Sequence, residues 1–164
     1  MGLHAELLEQ DDPRIGREVI RVRRVEELRL HEYERLYSLP GVYEQIVQER
    51  LECTSPAKVA SLLAAAVDAA RWARADVRVI DVAAGNGISG EALAAEGLTA
   101  VLGTDIVPAA REAALRDRPE LYNEYLILHL HALTAEQARR LRSLRANALT
   151  CVAPVGDDAS QVPV

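Results

Sequence analysis

The sequence predicts an α/β domain, a parallel sheet covered by helices on both faces, and three observations carry that prediction. From Val77 onward, short β-branched runs alternate with helical stretches of about ten residues, the grammar of βαβ units. In VRVIDVAAGNGISGEAL (77–93) an apolar run ends in an acid, passes through a turn of small residues and starts a helix at once. A second apolar run, TAVLGTD (99–105), also ends in an acid.

The elements follow in order. Residues 1–13 are polar. From Arg14 to Ser38 the residues Ile15, Val19, Val22, Val25, Leu28 and Leu36 recur at three- and four-residue steps, which predicts a helix. Pro40-Gly41 ends it, and Val42, Ile46, Val47 and Leu51 mark a short second helix. Ser55-Pro56 is a helix start, with serine as N-cap and proline at the first helical position. The helix it opens runs to about Arg74, with Val59, Leu62, Leu63 and Val67 on one face. VRVIDV (77–82) is the first strand, ISGEALAAEG (88–97) a helix closed by Gly97, and TAVLGTD (99–105) the second strand. PAAREAALRD (108–117) is a helix with proline at its start, and EYLILHL (124–130) the third strand. Thr134 to Gln137 matches a capping box that opens a helix to about Leu144, and ALTCVA (148–153) is the fourth strand. The chain thus divides into a helical segment (1–55), a sheet-bearing part (56–156) and a tail (157–164), with no internal repeat.

Composition bounds the function. At 164 residues the expectation is one domain with a real core. A net charge of −6 argues against a general nucleic-acid binder, whose footprint would be basic. Lys58 is the only lysine, which with the abundant alanine reads as compositional bias and not as chemistry. Cys53 and Cys151 have neither metal-ligand spacing nor the density of a disulfide scaffold, which points to a reducing cytoplasm. MGLHAELLEQDD lacks the basic patch and apolar core of a signal peptide, and no apolar stretch reaches membrane-spanning length. The expectation is a cytoplasmic domain acting on a small molecule, with neither nucleic acid nor membrane as partner.

In a doubly wound sheet, ligands bind at the carboxyl ends of the strands, beside the point where strand order reverses. After Asp81-Val82 the small residues Ala83, Ala84, Gly85 and Gly87 let backbone approach a ligand, and the following helix aims its free N–H groups at the same place. The turn is no phosphate loop, since GKS or GKT is absent, and it departs from GxGxxG, since Gly87 is followed by Ile88, Ser89 and Gly90. Asp105, eighteen residues after Gly87, is placed to accept hydrogen bonds from two ribose hydroxyls. The pair reads as a nucleoside site without a diphosphate requirement. Taken singly, the turn is also a plain strand-to-helix connection and Asp105 a cap for the helix at Pro108.

VIDVAAGNG followed by VLGTDIVPAAREAA resembles motifs I and II of the class I S-adenosylmethionine-dependent methyltransferases, over about residues 40–153. The resemblance implies a Rossmann-like parallel sheet, here of about four strands behind N-terminal helices, with S-adenosylmethionine as cofactor. It implies that Asp81, Ala83, Gly85, Asn86 and Gly87 line the methionine and ribose part, that Asp105 binds the ribose hydroxyls and that Ile106 lies against the adenine. Where the family has an acid near the adenine amino group, this chain has His129-Leu130, so that contact falls to His129. His129 and His131 would face the same side of a strand, but no Cys, Asp or Glu cluster adjoins them, so no metal site is expected.

The family's sheet has seven strands and this chain supplies four, which leaves the substrate half and the acceptor unidentified. A truncated enzyme, pairing with itself or another subunit, and a non-catalytic binding or assembly protein all fit. So does a small enzyme with the pocket turned to another reaction through His129 or His131. Leu149, Cys151 and Val152 would border an open sheet edge, and a homodimer is expected, with either that edge or the N-terminal helices as its contact. Tyr33, Tyr37 and Tyr43 either pack or line an acceptor pocket, and no catalytic base or nucleophile is nominated.

Overall fold

The computed structural model describes residues 5–8, 19–22, 26–29 and 32–152. It contains two sheets. Strands β1 (Ala5–Leu8), β2 (Val19–Val22) and β3 (Glu26–Arg29) form an antiparallel meander in that order. Among the described residues, the helix expected over Arg14–Ser38 is therefore found only at its end, as α1 (Tyr33–Ser38). The apolar spacing was compatible with a helix, but Val19, Ile20 and Val22 are β-branched, and pairing with two flanking strands satisfies their backbone. After Gly41, which takes a left-handed φ of 75°, α2 (Val42–Glu44) passes into a π-helical turn over Gln45–Arg50. Leu28 of the meander packs with Leu36, Val42 and Ile46 and so joins these elements.

The second sheet is all parallel, in the order β6 (Tyr125–Ile127), β5 (Thr99–Asp105), β4 (Arg78–Val82), β7 (Ala148–Cys151). This is the Rossmann-like α/β arrangement expected, with the chain stepping outward twice from β4 and then returning to its other side. The step outward uses α4 (Ile88–Ala95) and α5 (Pro108–Asp117), and the return uses α6 (Ala135–Ser143). Right-handed crossovers in opposite directions place their helices on opposite faces. Accordingly Val79 and Ala100 pack with Leu93 of α4 and with Ala60, Ala64 and Val67 of α3 (Ser55–Ala69), whereas Ile80 and Leu102 pack with Leu141 and Leu144. An irregularity in the β4–β5 register after Val79 puts Val101 on the α6 side as well.

Several boundaries shift. Ser55 is the first residue of α3, and Thr54 precedes it as an N-cap without a side-chain bond. That helix ends at Ala69, five residues before Arg74. The capping box at Thr134 and Gln137 is present in both directions. Strand β6 stops at Ile127, so His129 lies beyond it and His131 sits in a short 3-10 turn. The two imidazoles still meet, edge to face with centroids 5.9 Å apart, but not as alternate residues of a strand.

No described helix is long and apolar enough to cross a membrane. Among the described residues strand β7 pairs with β4 alone, and Leu149 on it is 62% exposed. Residues 153–164, where the expected fourth strand and tail end, lie outside the described residues.

Candidate functional site

The loop between β4 and α4 stands at the point where strand order reverses. Ala83, Gly85 and Gly87 take left-handed φ values of 54°, 54° and 94°, which turn the chain sharply from strand into helix. Ala83 does this with a Cβ, so its backbone is the strained member of the three.

Asp81 lies under this loop and is wholly buried. Its Oδ2 accepts from Ser89 Oγ at 2.6 Å and from Tyr122 Oη at 2.8 Å, and its Oδ1 accepts from Thr150 Oγ1 at 3.0 Å. One carboxylate thereby ties β4 to α4, to the loop before β6 and to β7. Burial raises its pKa while the three hydroxyls oppose that rise. Its partners are all internal, so Asp81 supports the loop from beneath and does not face its open side.

Asp105, at the end of β5, is half-buried. Its Oδ2 accepts from Gly85 N–H and its Oδ1 from Val107 N–H, both at 3.0 Å. The acid at the second strand end is thus bound directly to the glycine turn at the first. It also braces the entry to α5, so the capping role and the site role coexist. Each oxygen carries one such bond, and a carboxylate has about four acceptor positions, so capacity remains for two hydroxyl donors. Ile106 beside it is 45% exposed, and His129 is exposed at the end of the neighbouring strand. Asp105, Ile106 and His129 are therefore brought to one end of the sheet, with Leu128 N–H bonded to Asp105 O at 2.9 Å.

The loop itself is covered by the chain. A Cβ on Gly85 would stand 2.5 Å from Tyr37 Oη, and Tyr125 Oη donates to Gly85 O at 2.7 Å. A Cβ on Gly87 would meet Arg118, Leu121 and Tyr122. Gly90 and Gly103 adjoin Tyr122 and Tyr125 as closely. Asn86 is buried and donates through Nδ2 to Glu44 Oε1 at 2.6 Å. Arg118 bonds the same Glu44 oxygen at 2.9 Å, Glu91 Oε2 at 2.8 Å and Asn86 O at 3.2 Å. The glycines therefore admit tyrosines and an arginine of this chain.

None of Glu44, Arg118, Tyr122 or Tyr125 was singled out from the sequence, and Tyr37 only with Tyr33 and Tyr43 as residues that pack or line an acceptor pocket. A signal did exist. The chain has five tyrosines and no phenylalanine, and all five fall in two ring clusters, Tyr33–Tyr37–Tyr43 and Tyr122–Tyr125, of which Tyr37 and Tyr125 reach Gly85. Hydroxyl-bearing rings are favoured where an apolar body must carry a buried polar tip. Burial raises the pKa of Tyr37, Tyr122 and Tyr125, and pushes Tyr43 up to about 12, so all four remain neutral donors near neutrality.

The groups present test the fit of S-adenosylmethionine. Spare acceptors on Asp105 and the open face of Ile106 suit ribose hydroxyls and an adenine ring. The methionine side fits less well, because Tyr37 Oη occupies the approach to Gly85. A separate cleft of about 330 Å³ opens between α5 and β6, lined by Arg111, Leu115, Arg118, Tyr122, Tyr125 and Leu126, and reaches neither Gly85 nor Asp105. Among the described residues no group of three or more His, Cys, Asp or Glu side chains could hold a metal ion.

No family model, no curated protein and no solved structure matches this chain.

Proposed function

We propose that this chain is the cofactor-binding part of a class I S-adenosylmethionine-dependent methyltransferase acting on a small molecule in the cytoplasm. We further propose that it works as a homodimer or beside another subunit. The observation that carries the reading is the Asp105 carboxylate, bonded to the Gly85 amide across the strand ends and flanked by the exposed Ile106. In this reading Asp105 accepts from the ribose hydroxyls, Ile106 lies on the adenine and His129 accepts at its edge. Ala83, Gly85, Asn86 and Gly87 border the methionine side, and Asp81 fixes the loop from below through its three hydroxyl partners.

The cofactor would supply an electrophilic methyl group on a sulfonium. The chain's own task is then to hold it, orient it and keep water from the transfer line. S-adenosylhomocysteine binding, followed by calorimetry, tests the reading. Asp105→Ala should weaken binding by about 1.5–3 kcal/mol, the range for hydrogen bonds to a charged acceptor. Unchanged affinity in a folded variant removes Asp105 from the site.

A second reading has its own observation. Tyr37 against Gly85 closes the loop without any ligand, which favours a non-catalytic domain kept for binding or assembly. Failure of the folded wild-type chain and of variants with Tyr37 truncated to bind any adenine nucleoside selects this reading over the first.

A further inference from the structure

We propose that Tyr37 decides which nucleosides the site admits: seated on Gly85, it leaves room for a nucleoside with a short 5′ substituent and shuts out an extended one until α1 lifts. The inference rests on the assignment of a nucleoside site to Asp105 and Ile106, and names the residue that sets its specificity.

Position comes first. The Tyr37 hydroxyl stands 2.5 Å and its ring carbon Cζ 3.2 Å from where a Gly85 Cβ would be, so the tyrosine fills the space in front of the Gly85 Cα. Gly85 N–H is bonded to Asp105, so the filled space adjoins the acid assigned to the ribose. Ile106 stays exposed, so the base side is not covered in the same way. With the methionine side assigned to the loop as proposed, an amino-acid-length 5′ arm runs along Gly85, where the tyrosine stands, whereas an adenosine with a small 5′ group uses the open part.

The support behind Tyr37 is suited to moving as a unit. Tyr37 is 6% exposed and packs between Tyr33 and Tyr43, with ring centroids 5.8 and 4.9 Å away. It rides on α1, six residues long and without a side-chain N-cap, against the alanine face of α5 formed by Ala109, Ala110 and Ala113. Arg116 Nη1 bonds Tyr37 O at 3.2 Å. The neighbouring clasp is incomplete: Glu44 binds Asn86 and Arg118 through Oε1, while its buried Oε2 has no partner among the described residues. A partly satisfied buried network stabilises less than a complete one, which lowers the cost of opening.

The experiment titrates 5′-methylthioadenosine and S-adenosylhomocysteine into the wild-type chain, Tyr37→Phe and Tyr37→Ala, with a thermal melt of each protein. The wild type should prefer 5′-methylthioadenosine. Tyr37→Ala should tighten S-adenosylhomocysteine about tenfold, as expected if about one molecule in ten is open beforehand, and leave 5′-methylthioadenosine unchanged. Tyr37→Phe keeps the ring and removes the atom nearest Gly85, so the preference should move in the same direction, and it decides the matter if the alanine variant does not fold. A wild type that binds S-adenosylhomocysteine as tightly as 5′-methylthioadenosine, or folded variants with the wild-type preference, overturn the gate and leave the nucleoside site standing. Absence of binding of both compounds by all folded proteins removes the nucleoside site and the gate together.

Discussion

Thr150→Val tests the physical centre of the fold, the buried carboxylate of Asp81. Valine keeps the shape of threonine and removes only the hydroxyl that donates to Asp81 Oδ1 at 3.0 Å. No other described group is bonded to that oxygen, and Ser89 and Tyr122 both serve Oδ2. Near neutrality the loss should cost about 1.5–3 kcal/mol, the range for a hydrogen bond to an ion. That corresponds to a fall of about 3–12 °C in melting temperature for a chain of this size. The cost should depend on pH in a definite direction. Burial holds the Asp81 carboxyl above its ordinary value, so the native state keeps the proton more firmly than the unfolded chain does. Its favourable contribution is fully present below the unfolded value and is lost as pH rises through the folded value. At neutral pH the ion therefore needs all three donors. As pH falls through the folded value of Asp81, protonation should reduce the Thr150→Val penalty toward about 0.5–1.5 kcal/mol, the range for neutral partners. Urea unfolding followed by far-ultraviolet circular dichroism across a pH series descending from neutrality measures it, with Thr150→Ser as the variant that keeps the hydroxyl. A penalty that stays constant down to the acid unfolding of the wild type, or none at neutrality, would refute the view that the hydroxyl serves a buried ion.

Two further expectations concern the loop and the sheet edge. Gly85→Ala and Gly97→Ala both place a Cβ on left-handed backbone, at φ values of 54° and 71°, which costs about 1–2 kcal/mol each. Nothing lies within 4 Å of a Cβ on Gly97, whereas Tyr37 lies 2.5 Å from one on Gly85. Gly85→Ala should thus be the more destabilising in thermal melts, and equal losses would show that Tyr37 yields freely. Light scattering should report a dimer for the wild type and a monomer for Leu149→Glu, because among the described residues β7 is paired on one side only and Leu149 stands exposed on it. A monomeric wild type would defeat the edge-pairing idea.

What could be read from the sequence was local. Strand β5 and helix α5 occur where predicted, because a β-branched run closed by an acid and a proline-led helix carry their own boundary signals. The capping box at Thr134 is equally local, since both of its partners lie within one turn. A parallel sheet followed from βαβ alternation, and Asp105 and the glycine turn were read as one site because both lie at carboxyl ends of strands, but the order β6-β5-β4-β7 came only from the structure. The meander was not legible, because spacing of three and four is shared by a helix and by separated β-branched triplets, and long-range pairing decides between them. Neither was the inward commitment of Asp81, whose partners Tyr122 and Thr150 lie 41 and 69 residues away. Sequence determined where backbone could come close at Gly85, since only a residue without Cβ accepts that contact at left-handed φ. Tertiary structure alone decided what fills that space, because Tyr37 reaches it through the packing of α1 on α5, a contact between segments with no sequence relation to each other.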